Sequence, residues 1–233
     1  MENKQPGVNI DTENQILRKL ADGREYRNIR LQDIRALDQD SDSESYIVEG
    51  YATTFNHVYR LYDGSYYKVD ERIDPNAFAG CDMSDVIVQY DHQGRVFART
   101  KNRTLTLSVD AHGLHCRIDL GGTEIGRQLY GEIKGGYTDK MSFGFIVAED
   151  QRMETEDHET GVVTVLRTIT KIKKLFDVSA VSLPANDATE ISARSYCDGV
   201  IAELTEERRK AEQSKKYTNT LKLLLEVNEH ENR

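Results

Sequence analysis

Between residues 46 and 195, apolar and polar side chains alternate with a period of two, the signature of strands with one buried face. The pattern predicts strands over Tyr46–Ala52, Asp85–Tyr90, Leu105–Asp110, Leu114–Asp119, Met141–Ala148, Val162–Lys173 and Leu175–Leu183. Turn signals such as Ala111-His112-Gly113 and Glu159-Thr160-Gly161 separate them. One stretch breaks the alternation. Thr123 suits an N-cap, Glu124 suits the positive end of a helix dipole, Ile125, Leu129 and Ile133 fall four residues apart, and Gly135-Gly136 ends the run. Strands in series with one inserted helix predict an α+β protein, a small, mostly antiparallel β-barrel flanked by helices.

The flanks read differently. Residues 1–45 form a polar extension with a short helix expected over 11–21, a first strand at Arg27–Leu31, and an acidic, serine-rich linker over Asp38–Ser45. From about Asp198 a helical period returns, so 196–233 is expected to be a charged helical tail suited to docking or homo-oligomer formation.

Composition narrows the class. A chain of 233 residues can bury one sizeable core and carry extensions, and 38% hydrophobic against 30% charged residues fits a soluble protein. The net charge of -9 provides no basic stripe, so nucleic acid is not an expected partner. Cys81, Cys116 and Cys197 form no CxxC pair, which argues against a disulfide framework or zinc site and fits a reducing compartment. The first residues lack the apolar core of a signal peptide, and no apolar run is long enough to span a membrane. An intracellular protein with no membrane partner is the expectation.

Candidate chemistry centres on the run Met141-Ser142-Phe143-Gly144-Phe145-Ile146-Val147. Met141, Phe143, Phe145 and Val147 share a core face, while Ser142 and Gly144 share the other. A hydroxyl with space beside it on a rigid strand is how a nucleophile is displayed, and Gly144 would leave that space for an attacked peptide. An ordinary half-exposed strand serine has the same pattern. His92 ends the strand Val86–Tyr90, on the face of Val88 and Tyr90, where a neutral ring can take a proton from a serine and return it. Asp177 falls on the face of Leu175 and Val181, and a carboxylate among apolar side chains requires a partner. That partner is either a lysine of the run Lys171–Lys174 or His92. His57, His112, His158 and His230 read as surface residues, and His115 as half-buried in a strand. Asp91, His92, Asp110, His112 and His115 are metal-ligand types but lack a helical ligand spacing such as HExxH, so a metal-dependent hydrolase is the weaker alternative.

Several blocks, in order, resemble the caudoviral prohead protease family: Glu49–Asn56, Glu71–Phe78, Val86–Arg95, Thr104–Leu107 with Asp110–Leu114, Met141–Phe145 and Leu175–Asn186. The resemblance spans about residues 46–192. It implies a serine endopeptidase with a fold similar to herpesvirus assemblins, acting inside the procapsid in the host cytoplasm. It further implies that Ser142 is the nucleophile, His92 the base and Asp177 the third member, with no cofactor. The family commonly has glutamate at the position of Asp177 and often asparagine at that of Asp91, so Asp91 competes as the orienting carboxylate. Capsid and scaffolding proteins, and the chain's own termini, are the implied substrates. A non-enzymatic assembly module with the same fold is the competing class.

Overall fold

A computed structural model describes residues 22–29, 34–37, 45–181 and 187–231. The helix expected over 11–21 and most of the acidic linker lie outside the described residues. Strands dominate: β1 (Glu25–Ile29), β2 (Arg35–Ala36), β3 (Ile47–Thr54), β4 (Tyr59–Asp63), β5 (Tyr67–Ile73), β6 (Ile87–Tyr90), β7 (Gln93–Arg99), β8 (Leu105–Val109), β9 (Gly113–Asp119), β10 (Lys140–Glu156) and β11 (Val163–Val181). Helix α1 (Glu124–Lys134) separates β9 from β10, and helix α2 (Asp187–Glu231) follows β11. The α+β class is observed, with two α-helices among the described residues.

The strands do not close into the expected barrel. They form two open sheets, β1-β10-β11-β5-β4 with β6 and β7 attached through β11, and β2-β3-β9-β8. β10 and β11 run on as a long antiparallel pair, and β11 pairs in parallel with β5 through its first half and with β6 through its last. The outer strand β4 carries Arg60 and Asp63, paired with Asp70 and Lys68 on β5. Charged residues on an edge discourage the further pairing that closure requires. The two strands expected at Val162–Lys173 and Leu175–Leu183 are one continuous β11, bent by register shifts rather than interrupted.

One apolar cluster draws from both sheets: Val48, Ala52, Leu114, Cys116 and Ile118 from one, Met141, Phe143, Phe145, Ile169 and Leu175 from the other. Fully burying a side chain of this size contributes about 1.5–3 kcal/mol, so this cluster is the main source of stability. Helix α1 starts as its sequence predicts: the Thr123 hydroxyl accepts the Gly126 N–H at 3.1 Å, and Leu129 and Ile133 face the cluster.

β1, from the segment read as a polar extension, joins the larger sheet as an edge strand against β10. Helix α2 begins well before Asp198, and its portion from Ser195 onward is a separate compact unit. Within that portion Arg209 pairs with Glu206 one turn earlier. No helix among the described residues is long and apolar enough to cross a membrane.

Candidate active site

Ser142 sits near the start of β10, on the face opposite Met141, Phe143 and Phe145. That second face is not open. Ser142 has no exposed surface, and neither does Tyr26 of β1, which lies across from Gly144. The space beside Gly144 is likewise filled: a Cβ there would run into the Asp177 carboxylate and the Tyr26 ring. Glycine is required at this position to admit its own neighbours, rather than to leave room for a peptide.

His92 does not continue strand β6. Asp91 and His92 form the two-residue turn between β6 and β7, with φ of 48° and 57°. Two successive left-handed residues are the geometry of a type I′ hairpin turn, usually Asn-Gly or Asp-Gly. A histidine there costs roughly 1–2 kcal/mol, which the surroundings must offset. The Asp91 N–H anchors the turn by donating to the Ala180 carbonyl of β11 at 3.0 Å.

Asp177 reaches the site through a β-bulge. Gly144 pairs with Asp177, but the next pair is Phe145 with Leu175, so Phe176 is the extra residue. The bulge breaks the alternation that assigned Asp177 to the face of Leu175. Leu175 enters the core cluster, whereas Asp177 turns to the face of Ser142 and Gly144. Re-aiming one side chain in this way is a recurrent use of bulges beside functional sites.

These three residues from separate strands and a turn meet in one line. His92 Nε2 lies 2.5 Å from Ser142 Oγ, and His92 Nδ1 is hydrogen-bonded to Asp177 Oδ1. A carboxylate facing Nδ1 selects the tautomer with its proton there, which leaves the Nε2 lone pair toward the serine. The carboxylate on the imidazole is that of Asp177, and two lysines of the run 171–174 pair elsewhere, Lys171 with Glu149 and Lys174 with Asp82. One methylene less than glutamate is enough because the bulge brings Asp177 up to the ring.

Three further groups complete the site. The Arg27 carbonyl accepts from Ser142 Oγ at 2.9 Å, so two acceptors contend for the single serine proton. The Tyr26 ring packs edge-on against His92 with centroids 4.6 Å apart. Burial first, then the charge of Asp177, push the Tyr26 hydroxyl up to about 12, so it is neutral at any physiological pH. Ser179 Oγ donates to Asp177 Oδ1 at 2.9 Å. Sequence reasoning passed over Ser179, although a residue two beyond Asp177 on a strand shares its face. Tyr26 and Arg27 carried no such signal, because only the pairing of β1 with β10 brings them in.

The other ligand-type residues do not converge on a metal position: among the described residues no group of three or more His, Cys, Asp or Glu does so. Asp110, His112 and His115 instead surround Tyr51. Its hydroxyl donates to Asp110 at 2.7 Å, and its ring meets both imidazoles edge-on.

Comparison with known proteins gives one match. No curated protein and no solved structure matches the chain. The model of the family described as caudovirus prohead serine protease matches residues 32–199, a span that contains Ser142, His92 and Asp177. The chain therefore belongs to the caudovirus prohead serine protease family.

Proposed function

We propose that the protein is an active serine endopeptidase of procapsid maturation, with Ser142 as nucleophile, His92 as general base and acid, and Asp177 as the group that orients and balances the imidazole. Family membership supports a protease role in phage capsid maturation. The observation that carries the catalytic reading is the hydrogen-bonded line Ser142–His92–Asp177, assembled from three distant segments on one face of a sheet. Structural need alone does not call for a histidine in a left-handed turn, or a buried aspartate turned by a bulge to meet it.

The steps follow the acyl-transfer scheme. Ser142 is fully buried, so the step requires the groups that cover it to be displaced; Ser142 Oγ then bonds to a peptide carbonyl carbon as its proton passes to His92 Nε2. The imidazolium is held by Asp177. Collapse of the tetrahedral intermediate breaks the C–N bond, and His92 returns the proton to the leaving amine. Water then attacks the acyl-enzyme, giving its proton to His92, and the Ser142 hydroxyl is restored. Scaffolding protein, a scaffold-like segment of the capsid protein, and the chain's own termini are the substrates of this reading. The likeness in fold to herpesvirus assemblins implied by the sequence blocks belongs to it too. So does a division into a protease domain over 46–195, to which β1 contributes its strand, and a docking helix over 196–233.

The test is co-expression of Ser142→Ala with the capsid and scaffolding proteins. Scaffold removal and terminal trimming should stop while the variant keeps its fold; persistence of either would overturn the assignment.

A further inference from the structure

β11 carries a second hydroxyl on the active face. Ser179 stands across from Ser142 in the β10–β11 register and two residues beyond Asp177, which puts all three side chains on one face. It has no exposed surface, so its hydroxyl must find its partner within the protein. That partner is Asp177 Oδ1, the same oxygen that accepts from His92 Nδ1.

The carboxylate torsion is broad and two-fold, so each donor on it narrows the range its plane can take. A second donor on the same oxygen as His92, coming from the strand that carries the aspartate, restrains that plane. We propose that Ser179 is a positioning residue for the triad, its hydroxyl holding the Asp177 carboxylate so that Oδ1 faces His92. The proposal rests on the assignment of Ser142, His92 and Asp177 made above. Ser179 acts through Asp177 and is given no contact with substrate. The groups facing His92 are Tyr26 from β1, Ser142 from β10 and Asp177 from β11, with Asp91 preceding it in its own turn.

Loss of the Ser179 hydroxyl has two consequences. The carboxylate plane loosens, which slows proton transfer at Ser142. The carboxylate also has one donor fewer to share its charge, so it stabilises the His92 imidazolium more strongly and moves the acid-limb midpoint upward. A hydrogen bond to a charged group is worth about tenfold in rate if it is realised in the transition state.

The experiment compares wild-type full-length chain with Ser142→Ala, Ser179→Ala and Ser179→Thr. Labelling by a small fluorophosphonate, read by intact mass against pH, reports the reactivity of Ser142. The imidazole titration of His92 by nitrogen NMR reports the midpoint without any ligand. The expected result is no label on Ser142→Ala, labelling of Ser179→Ala slowed about tenfold with both midpoints raised, and return of rate and midpoints toward wild type in Ser179→Thr. Labelling of Ser142→Ala at the wild-type rate would sink the catalytic reading itself. An unlabelled Ser142→Ala beside a Ser179→Ala with wild-type rate and midpoints would overturn the Ser179 role alone. Should Ser179→Ala not fold, Ser179→Cys replaces it as the variant with a weak donor. Wild-type midpoints in that variant count equally against the proposal.

Discussion

Adjacent residues of β1 serve two buried polar clusters on opposite faces of one sheet. Tyr26 faces the line of Ser142, His92 and Asp177. Arg27 faces the other way, beside Phe143 and Phe145, into a network of charges. There Arg27 Nε donates to Glu71 Oε1 at 2.6 Å and its Nη2 to Glu71 Oε2 at 2.9 Å. Arg167 donates to Glu71 at 2.9 Å, to Glu25 at 2.7 and 2.9 Å, and to Asp150 at 2.5 Å. The Tyr59 hydroxyl also binds Glu71. This network joins β1, β4, β5, β10 and β11. Burial alone would lower the Arg27 value, but Glu71 and Glu25 outweigh it and raise it well above the ordinary arginine range, so the cation is fixed.

The difference lies in what a proton can do. In the network every guanidinium is permanently charged and held by paired oxygens, an arrangement that fixes strands in place and transfers nothing. In the other cluster single hydrogen bonds run in file through an imidazole, whose two nitrogens can exchange roles. The first cluster holds the strand that helps to enclose the second. One face of β1 is therefore structural support, and the other packs against the proposed catalytic line.

Four measurements would break or sharpen that contrast. The largest effect is expected from Ser142→Ala, which should lower proteolysis by about 10⁵-fold or more with unchanged thermal stability. Asp177→Asn should keep the packing but present the wrong hydrogen-bonding partner to Nδ1, lowering kcat by about 10³–10⁴-fold. A milder loss in steady-state kinetics would mean that another group orients His92. On the opposite face, Arg27→Met leaves the buried Glu71 carboxylate with Arg167 as its remaining guanidinium, and urea unfolding should show a loss of up to about 3–5 kcal/mol. An unchanged midpoint there would show that the network contributes nothing to holding β1. Gly144→Ala pushes a methyl into Asp177 and Tyr26, and should cost about 1–3 kcal/mol by thermal melting while also lowering activity.

A fifth and smaller effect concerns acid. Burial of Glu25 works to raise its value, but the guanidiniums of Arg27 and Arg167 prevail and hold it below the usual carboxylate range. A carboxyl whose folded value lies below its unfolded one contributes stability above the unfolded value and loses it as pH falls toward the folded one. The melting temperature should therefore drop as pH falls below about 4.5, the ordinary value for this group, and Glu25→Gln should flatten that part of the curve.

Legibility differed by residue for physical reasons. Ser142 could be read because strict alternation around it isolates one hydroxyl among apolar residues, and helix α1 because its cap and four-residue spacing are local. His92 could be singled out, but not its turn, because Asp-His lacks the glycine that usually marks a left-handed pair. The face of Asp177 was misread, since a bulge inserts one residue and every later side chain changes sides. β4, β5 and β7 were missed where charged and tyrosine residues blur the period.

The sequence by itself determined the strand-rich α+β class, the inserted helix, and the order of blocks that carries serine, histidine and acid. Only the tertiary structure decided that the sheets stay open, that Asp177 rather than Asp91 meets the imidazole, and that β1, Tyr26 and Ser179 belong to the site. Periodicity along a chain reports which face a residue takes on its own strand. Which strands lie side by side, and where a register slips by one, is set by pairings between segments far apart in the chain, such as Glu25 with Phe145.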